Sequence, residues 1–176
     1  MFTSTSKMTF AGGGISAMAA SPSNIRRHLA LQTYQLVCYD KVNQLRHVRF
    51  LPDLKAVEAH MEKHAAIIRP KFEYVLEVFR RELSDIASWS DPNGGYFICV
   101  RAPKNCAKRI VQLCAEAGVT LTPAGSPFPG GYDPEDSVLR IAPTYPSLDE
   151  VETASDLLCV CVKLATVEKL LADQEA

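Results

Sequence analysis

The 176 residues are 47% hydrophobic, enough for one sizeable core or a core with a small satellite. Lysines and arginines number 19 against 20 aspartates and glutamates, with no run of five like charges, which argues against nucleic acid or an anionic membrane as a partner. No apolar run approaches the roughly 20 residues that span a bilayer, since the longest, near Leu157 to Val162, is broken by Lys163.

In chain order, the first 39 residues hold no acidic side chain and are rich in Ser and Thr, a composition that resembles a mitochondrial transit peptide. The triple glycine Gly12-Gly13-Gly14 and the small-residue stretch Ile15 to Ala20 favour packed backbone near a strand or ligand instead, and a cytoplasmic location is expected ahead of a mitochondrial one. Ser21-Pro22 reads as an N-cap followed by proline at the first helical position, opening a polar amphipathic stretch to Leu36. From Pro52 to Leu83, apolar residues recur at mixed three-and-four spacing, predicting one long helix that bends near Arg69 because Pro70 removes a hydrogen bond.

After Leu83 the pattern shortens. The turn Asp91 to Gly95 precedes an extended Tyr96 to Arg101, and a helix is expected over Asn105 to Ala117, stopped by Gly118. Strand-like Val119 to Thr122, a Gly/Pro loop over Pro123 to Pro134 and strand-like Val138 to Ala142 follow. A final helix opens at the capping box Ser147-Leu148-Asp149-Glu150. The six cysteines (Cys38, Cys99, Cys106, Cys114, Cys159, Cys161) form no CxxC pair and mostly sit in apolar stretches, so buried reduced thiols are expected rather than disulfides.

Ser4-Thr5-Ser6-Lys7 sets hydroxyls one and three positions before a lysine, with glycines soon after. Those are the groups a phosphorylated aldehyde cofactor needs, an amine for the aldehyde and hydroxyl or backbone N–H donors for the phosphate. By itself Ser-x-x-Lys is common on solvated surfaces. It is followed, however, by Pro92-Asn93-Gly94-Gly95-Tyr96-Phe97, by Ala117 to Gly125 and by Val138-Leu139-Arg140-Ile141-Ala142. In that order and spacing the chain resembles, from Thr3 to about Leu164, the C-terminal part of fold-type I, class I/II pyridoxal-phosphate-dependent aminotransferases. Lys41 to Phe50 and His64 to Phe72 resemble signatures of the MocR-like or alanine-glyoxylate-aminotransferase-like branch, which includes a subgroup of aspartate aminotransferases.

The resemblance implies an α/β fold. Residues 1–51 would be a C-terminal remnant of the large cofactor-binding domain, 52–83 the long kinked linking helix and 84–176 a small C-terminal α/β domain. It implies pyridoxal 5'-phosphate as cofactor, Lys7 as the catalytic lysine, and Ser4 and Ser6 as phosphate-holding hydroxyls. Arg140 would bind the substrate α-carboxylate through its planar fork. Amino acid and 2-oxo acid substrates, with aspartate or glutamate expected, and a homodimer come with it.

Many members of the class carry an arginine about eight positions after the lysine to neutralise the phosphate. Here that position is Ile15, and backbone donors of Gly12 to Gly14 are the expected substitute. The groups that would surround the cofactor ring lie upstream of Lys7 in the family, so a truncated or split product is expected, one exposing apolar surface and sheet edges. The competing reading is a non-catalytic remnant serving as an α/β interaction module.

Two smaller sets are weighed in the same way. Without the resemblance, Arg140 reads as a structural partner of Asp136. His60 and His64 lack the HExxH spacing, so no metal site is expected there and satisfied or solvated helix histidines are. Arg46, His47 and Arg49 form a basic cluster placed to read a side-chain carboxylate in a neighbouring subunit, against the plainer reading of a solvated turn.

Overall fold

The computed structural model describes residues 1–175. The chain begins in a two-stranded antiparallel hairpin, β1 (Phe2–Ser4) and β2 (Ser16–Met18), with Phe2 opposite Met18 and Ser4 opposite Ser16. Helix α1 (Pro22–Gln32) follows, its first turn capped by the Ser21 hydroxyl, which accepts from the Asn24 N–H at 3.4 Å. A further helix, α2 (Lys41–Phe50), is capped by Asp40, whose carboxylate accepts from the Asn43 N–H at 2.9 Å. The long helix α3 (Leu54–Leu83) then runs unbroken through Pro70. Contacts divide the chain into two compact units, Met1–Ala65 and Ala66–Ala176, about one turn before that proline.

In the second unit, strands β3 (Ser88–Trp89), β4 (Ile98–Arg101) and β5 (Val138–Ile141) form an antiparallel sheet in the order β3-β4-β5. Helices α4 (Ala107–Glu116) and α5 (Leu148–Gln174) complete it. Alternation sorts the two faces of the sheet. Ile98 pairs with Ile141 and Val100 with Leu139, and all four are buried in the core with Val75, Phe79, Leu83, Ile110, Leu158 and Val162. The intervening pair, Cys99 and Arg140, falls on the other face.

The observed elements correct several expectations. Val119 to Thr122 joins no strand ladder: the Val119 N–H turns back to the Cys114 carbonyl, and the Thr122 hydroxyl, rather than a backbone N–H, donates to the Arg140 carbonyl at 2.8 Å. Helix α4 starts at Ala107 because Asn105 has a φ of 61°, a left-handed conformation that no helix interior accepts. Residues Arg46, His47 and Arg49 lie on α2, not on a solvated turn. All six cysteines are free thiols, but Cys38 and Cys99 are exposed, the latter because strand alternation turns it away from the core. Among the described residues no helix is long and apolar enough to cross a membrane.

Candidate active site

The segment that carries Lys7 leaves β1 as a tight turn whose shape is set by Thr5. The Thr5 carbonyl accepts from the N–H groups of Met8 and Thr9 at 2.9 and 3.0 Å, its N–H donates to the Ile15 carbonyl, and its hydroxyl accepts from the Ile15 N–H at 3.0 Å. This ties the Ser4–Thr9 turn to the start of β2 and leaves Lys7 exposed at its apex. The Ser4 and Ser6 hydroxyls meet at 2.6 Å on the exposed side, and the Ser6 N–H donates to the Ser4 hydroxyl. A Cβ on Gly14 would stand 2.7 Å from the Ser6 hydroxyl and 2.9 Å from its Cα, so glycine is required there. Ser4, Ser6 and Lys7 are thus brought onto one turn.

Behind the turn, His47 is buried at 4% exposure. Its Nδ1 lies 2.9 Å from the Asn43 carbonyl, which can only accept, so Nδ1 donates. The Thr9 and Thr5 hydroxyls lie 2.8 and 3.1 Å from its Nε2, on either side of Lys7 in the chain. The burial of His47 separates it from Arg46 and Arg49, which remain exposed, so the three do not act as one basic cluster. Phe10 packs edge-on against His47 at 5.3 Å and against Phe50 at 5.1 Å, and Phe50 in turn contacts His60. His60 is satisfied: its Nε2 lies 2.7 Å from the Met8 carbonyl.

Arg140 belongs to the second unit, on the sheet face turned away from the core. Its guanidinium lies over the Phe97 ring with Cζ 4.7 Å from the centroid, and its Nε is buried without a hydrogen-bond partner. Asp136, the acidic neighbour in sequence, instead accepts from the Lys108 N–H. Such an orphaned donor on a half-buried arginine is costly unless a ligand completes it, and a planar carboxylate is the complement of its fork.

The strand is held from both ends. Ahead of it, the Asp133 carboxylate accepts from the N–H groups of Glu135, Ser137 and Val138 at 2.8–3.0 Å. Burial works to raise the pKa of Asp133, but those N–H donors and Arg101 hold it below its usual value. Beyond it, the buried Lys71 donates to the carbonyls of Thr144 and Pro146. In the sequence Phe97 stands only within a motif and His47 only within a basic cluster, and neither is marked as the platform under Arg140 or the support behind the Lys7 turn. Phe97 lies two residues before Cys99, the cross-strand partner of Arg140, and that registration is the signal that locates it.

The family model described as aspartate amino-transferase matches residues 1–174. A Mycolicibacterium smegmatis protein whose name places it among aminotransferases is 48% identical over 176 residues, covering 99% of this chain and 41% of that protein. The crystal structure of an aspartate transaminase from Corynebacterium glutamicum superposes with a TM-score of 0.87 at 42% identity, covering 96% of this chain and 40% of that one. At 18% identity, the Thermus thermophilus α-aminoadipate aminotransferase LysN, solved with N-(5'-phosphopyridoxyl)-L-leucine, shares the fold with a TM-score of 0.73 over 93% of this chain and 41% of that one. The chain therefore spans about two fifths of the length of these relatives. Over that span it belongs to the aspartate amino-transferase family and has the C-terminal architecture of fold-type I aminotransferases.

Proposed function

We propose that this chain is the C-terminal part of a cytoplasmic, homodimeric, pyridoxal-phosphate-dependent aminotransferase exchanging an α-amino group between aspartate or glutamate and a 2-oxo acid. In this reading residues 1–51 belong to the large domain, 52–83 link, and 84–176 form the small domain. The observation that carries it is the Ser4–Lys7 turn. Two hydroxyls 2.6 Å apart and a lysine amine share one rigid turn, in a chain whose relatives are aminotransferases.

The residues fit the cofactor. Lys7 would hold it through the amine, and the Ser4 and Ser6 hydroxyls would donate to its phosphate. When bound, pyridoxal phosphate supplies an aldehyde that takes up the amino group and a ring that stores the electron pair of the broken Cα–H bond. The Lys7 amine would be the base that takes the α-proton of the bound amino acid and returns it. Arg140 would receive the α-carboxylate through its guanidinium fork, fixing which α-bond is presented for cleavage.

The test pairs the chain with the complementary N-terminal segment of the Corynebacterium glutamicum relative and adds pyridoxal phosphate. The expected result is a near-visible absorption band that borohydride bleaches and that Lys7→Ala abolishes. A wild-type pairing without that band, or a Lys7→Ala variant that keeps it, overturns the reading and leaves the non-catalytic α/β module.

A further inference from the structure

The backbone just beyond Lys7 is gripped from outside its own turn. His60, on α3, brings Nε2 to 2.7 Å from the Met8 carbonyl oxygen, and because a carbonyl can only accept, that nitrogen donates. The same peptide plane is tied at its other end, where the Thr9 N–H donates to the Thr5 carbonyl at 3.0 Å. The plane before it is tied too, through the Met8 N–H to that Thr5 carbonyl at 2.9 Å. Both rigid peptide planes that follow Lys7 are therefore anchored, and the soft dihedrals of Met8 lie between two fixed ends.

The His60 ring is itself held in place. Phe50 stands 5.0 Å from it between centroids at 79°, and His64 stands 4.5 Å from it at 62°. Phe50 leans in turn on Phe10, the residue after Thr9, at 5.1 Å. All of these residues belong to the unit Met1–Ala65. An aromatic run from the loop behind Lys7 to α3 thus sets the direction from which the N–H meets the Met8 carbonyl. Packing alone does not account for an imidazole there. A phenylalanine would make the same edge contacts but would offer a C–H to a part-buried carbonyl, and so lose a hydrogen bond.

We propose that His60 is a positioning residue for Lys7, whose N–H on the Met8 carbonyl holds the turn in the shape that presents the lysine at its apex. The inference rests on the role of Lys7 proposed above. His60 touches neither aldehyde nor substrate in it and acts through the backbone alone.

The experiment separates the donor from the ring. His60→Phe keeps an aromatic side chain between Phe50 and His64 but has no N–H. His60→Gln gives up the ring and keeps a donor, since the glutamine Nε2 stands as many bonds from the backbone as the histidine Nε2. Wild type and variants are each paired with the complementary N-terminal segment and titrated with pyridoxal 5'-phosphate. Borohydride then reduces the adducts, and peptide mass spectrometry reads the occupancy of Lys7, with the exposed Lys104 of the second unit as internal reference. His60→Phe is expected to raise the half-saturating concentration at Lys7 about tenfold, and His60→Gln to stay within about threefold of the wild type. Occupancy at Lys104 should be the same in all three.

A His60→Phe variant that matches the wild type, a His60→Gln variant as weak as His60→Phe, or a shift shared by Lys104 overturns the inference and leaves the role of Lys7 standing. A wild-type pairing in which Lys7 is occupied no more readily than Lys104 takes both down.

Discussion

His47 uses both ring nitrogens, Nδ1 donating to the Asn43 carbonyl and Nε2 facing the hydroxyls of Thr9 and Thr5. Removing the ring takes away the donor to the Asn43 carbonyl and the polar neighbour of both hydroxyls in a part-buried site, a loss of about 1–3 kcal/mol. Chemical denaturation of His47→Leu should show that decrease, and the rate at which Lys7 reacts with free pyridoxal should fall with it. A variant as stable as the wild type would mean that the ring's contacts contribute nothing to the fold. At this scale the sequence offers candidates chiefly where a motif stands. Ser4, Ser6, Lys7 and Arg140 stand in recognisable company, whereas His47 was read as one of three exposed cations. A histidine flanked by Arg46 and Val48 looks the same in a sequence whether its helix turns it inward or outward. Only the contact with residues some forty positions earlier decides that.

Helices α3 and α5 are joined by Glu82, which accepts from Arg81 Nε at 2.7 Å and from Lys163 Nζ at 2.6 Å. The Arg81 hydrogen bond first, then Lys163, pull the Glu82 pKa from 4.5 to about 2. A depressed carboxylate stabilises the fold above its unfolded pKa and ceases to do so as pH falls through the folded value. Glu82→Gln should therefore melt below the wild type at neutral pH, and the gap in Tm should close between about pH 4.5 and pH 2. A gap that is flat across that window would show that the ion pair contributes nothing.

Elements with strong local chemistry were readable in advance. The capping box of α5 is present as read, with the Ser147 N–H donating to the Glu150 carboxylate and the Glu150 N–H to the Ser147 hydroxyl. The three-and-four spacing of α3 also gave its extent to within two residues of the observed start. Strands β1, β2 and β3 are two or three residues long, too short for alternation to register, and they exist because a partner strand supplies the hydrogen bonds. The expected strand at 119–122 failed for the converse reason. Its residues suit a strand, but no ladder reaches them.

Across the whole chain, apolar burial is uneven. The second unit has a continuous core around Phe79 and Leu83, both fully buried, while α1 buries no residue, and Tyr34, Val37 and Val42 are largely exposed. That exposure matches the expectation for a chain whose relatives are more than twice as long. Trp89, the single tryptophan, packs edge-on against Phe79 at 5.6 Å and so reports on the second unit alone. Phe79→Ala should cost about 3–5 kcal/mol and shift the Trp89 fluorescence transition by that amount. An unshifted transition would place the stability of this unit elsewhere.

The first turn of α4 is closed from far downstream. Cys106 offers no side-chain cap, so the N–H groups of Cys106 and Ala107 donate to the Asp136 carbonyl, and that of Lys108 donates to its carboxylate, 28 positions on. During synthesis, then, this helix emerges with an open end and stays frayed until the stretch before Arg140 has left the ribosome. The strand that carries the arginine and the helix beside it should gain protection from hydrogen exchange together, as one late event.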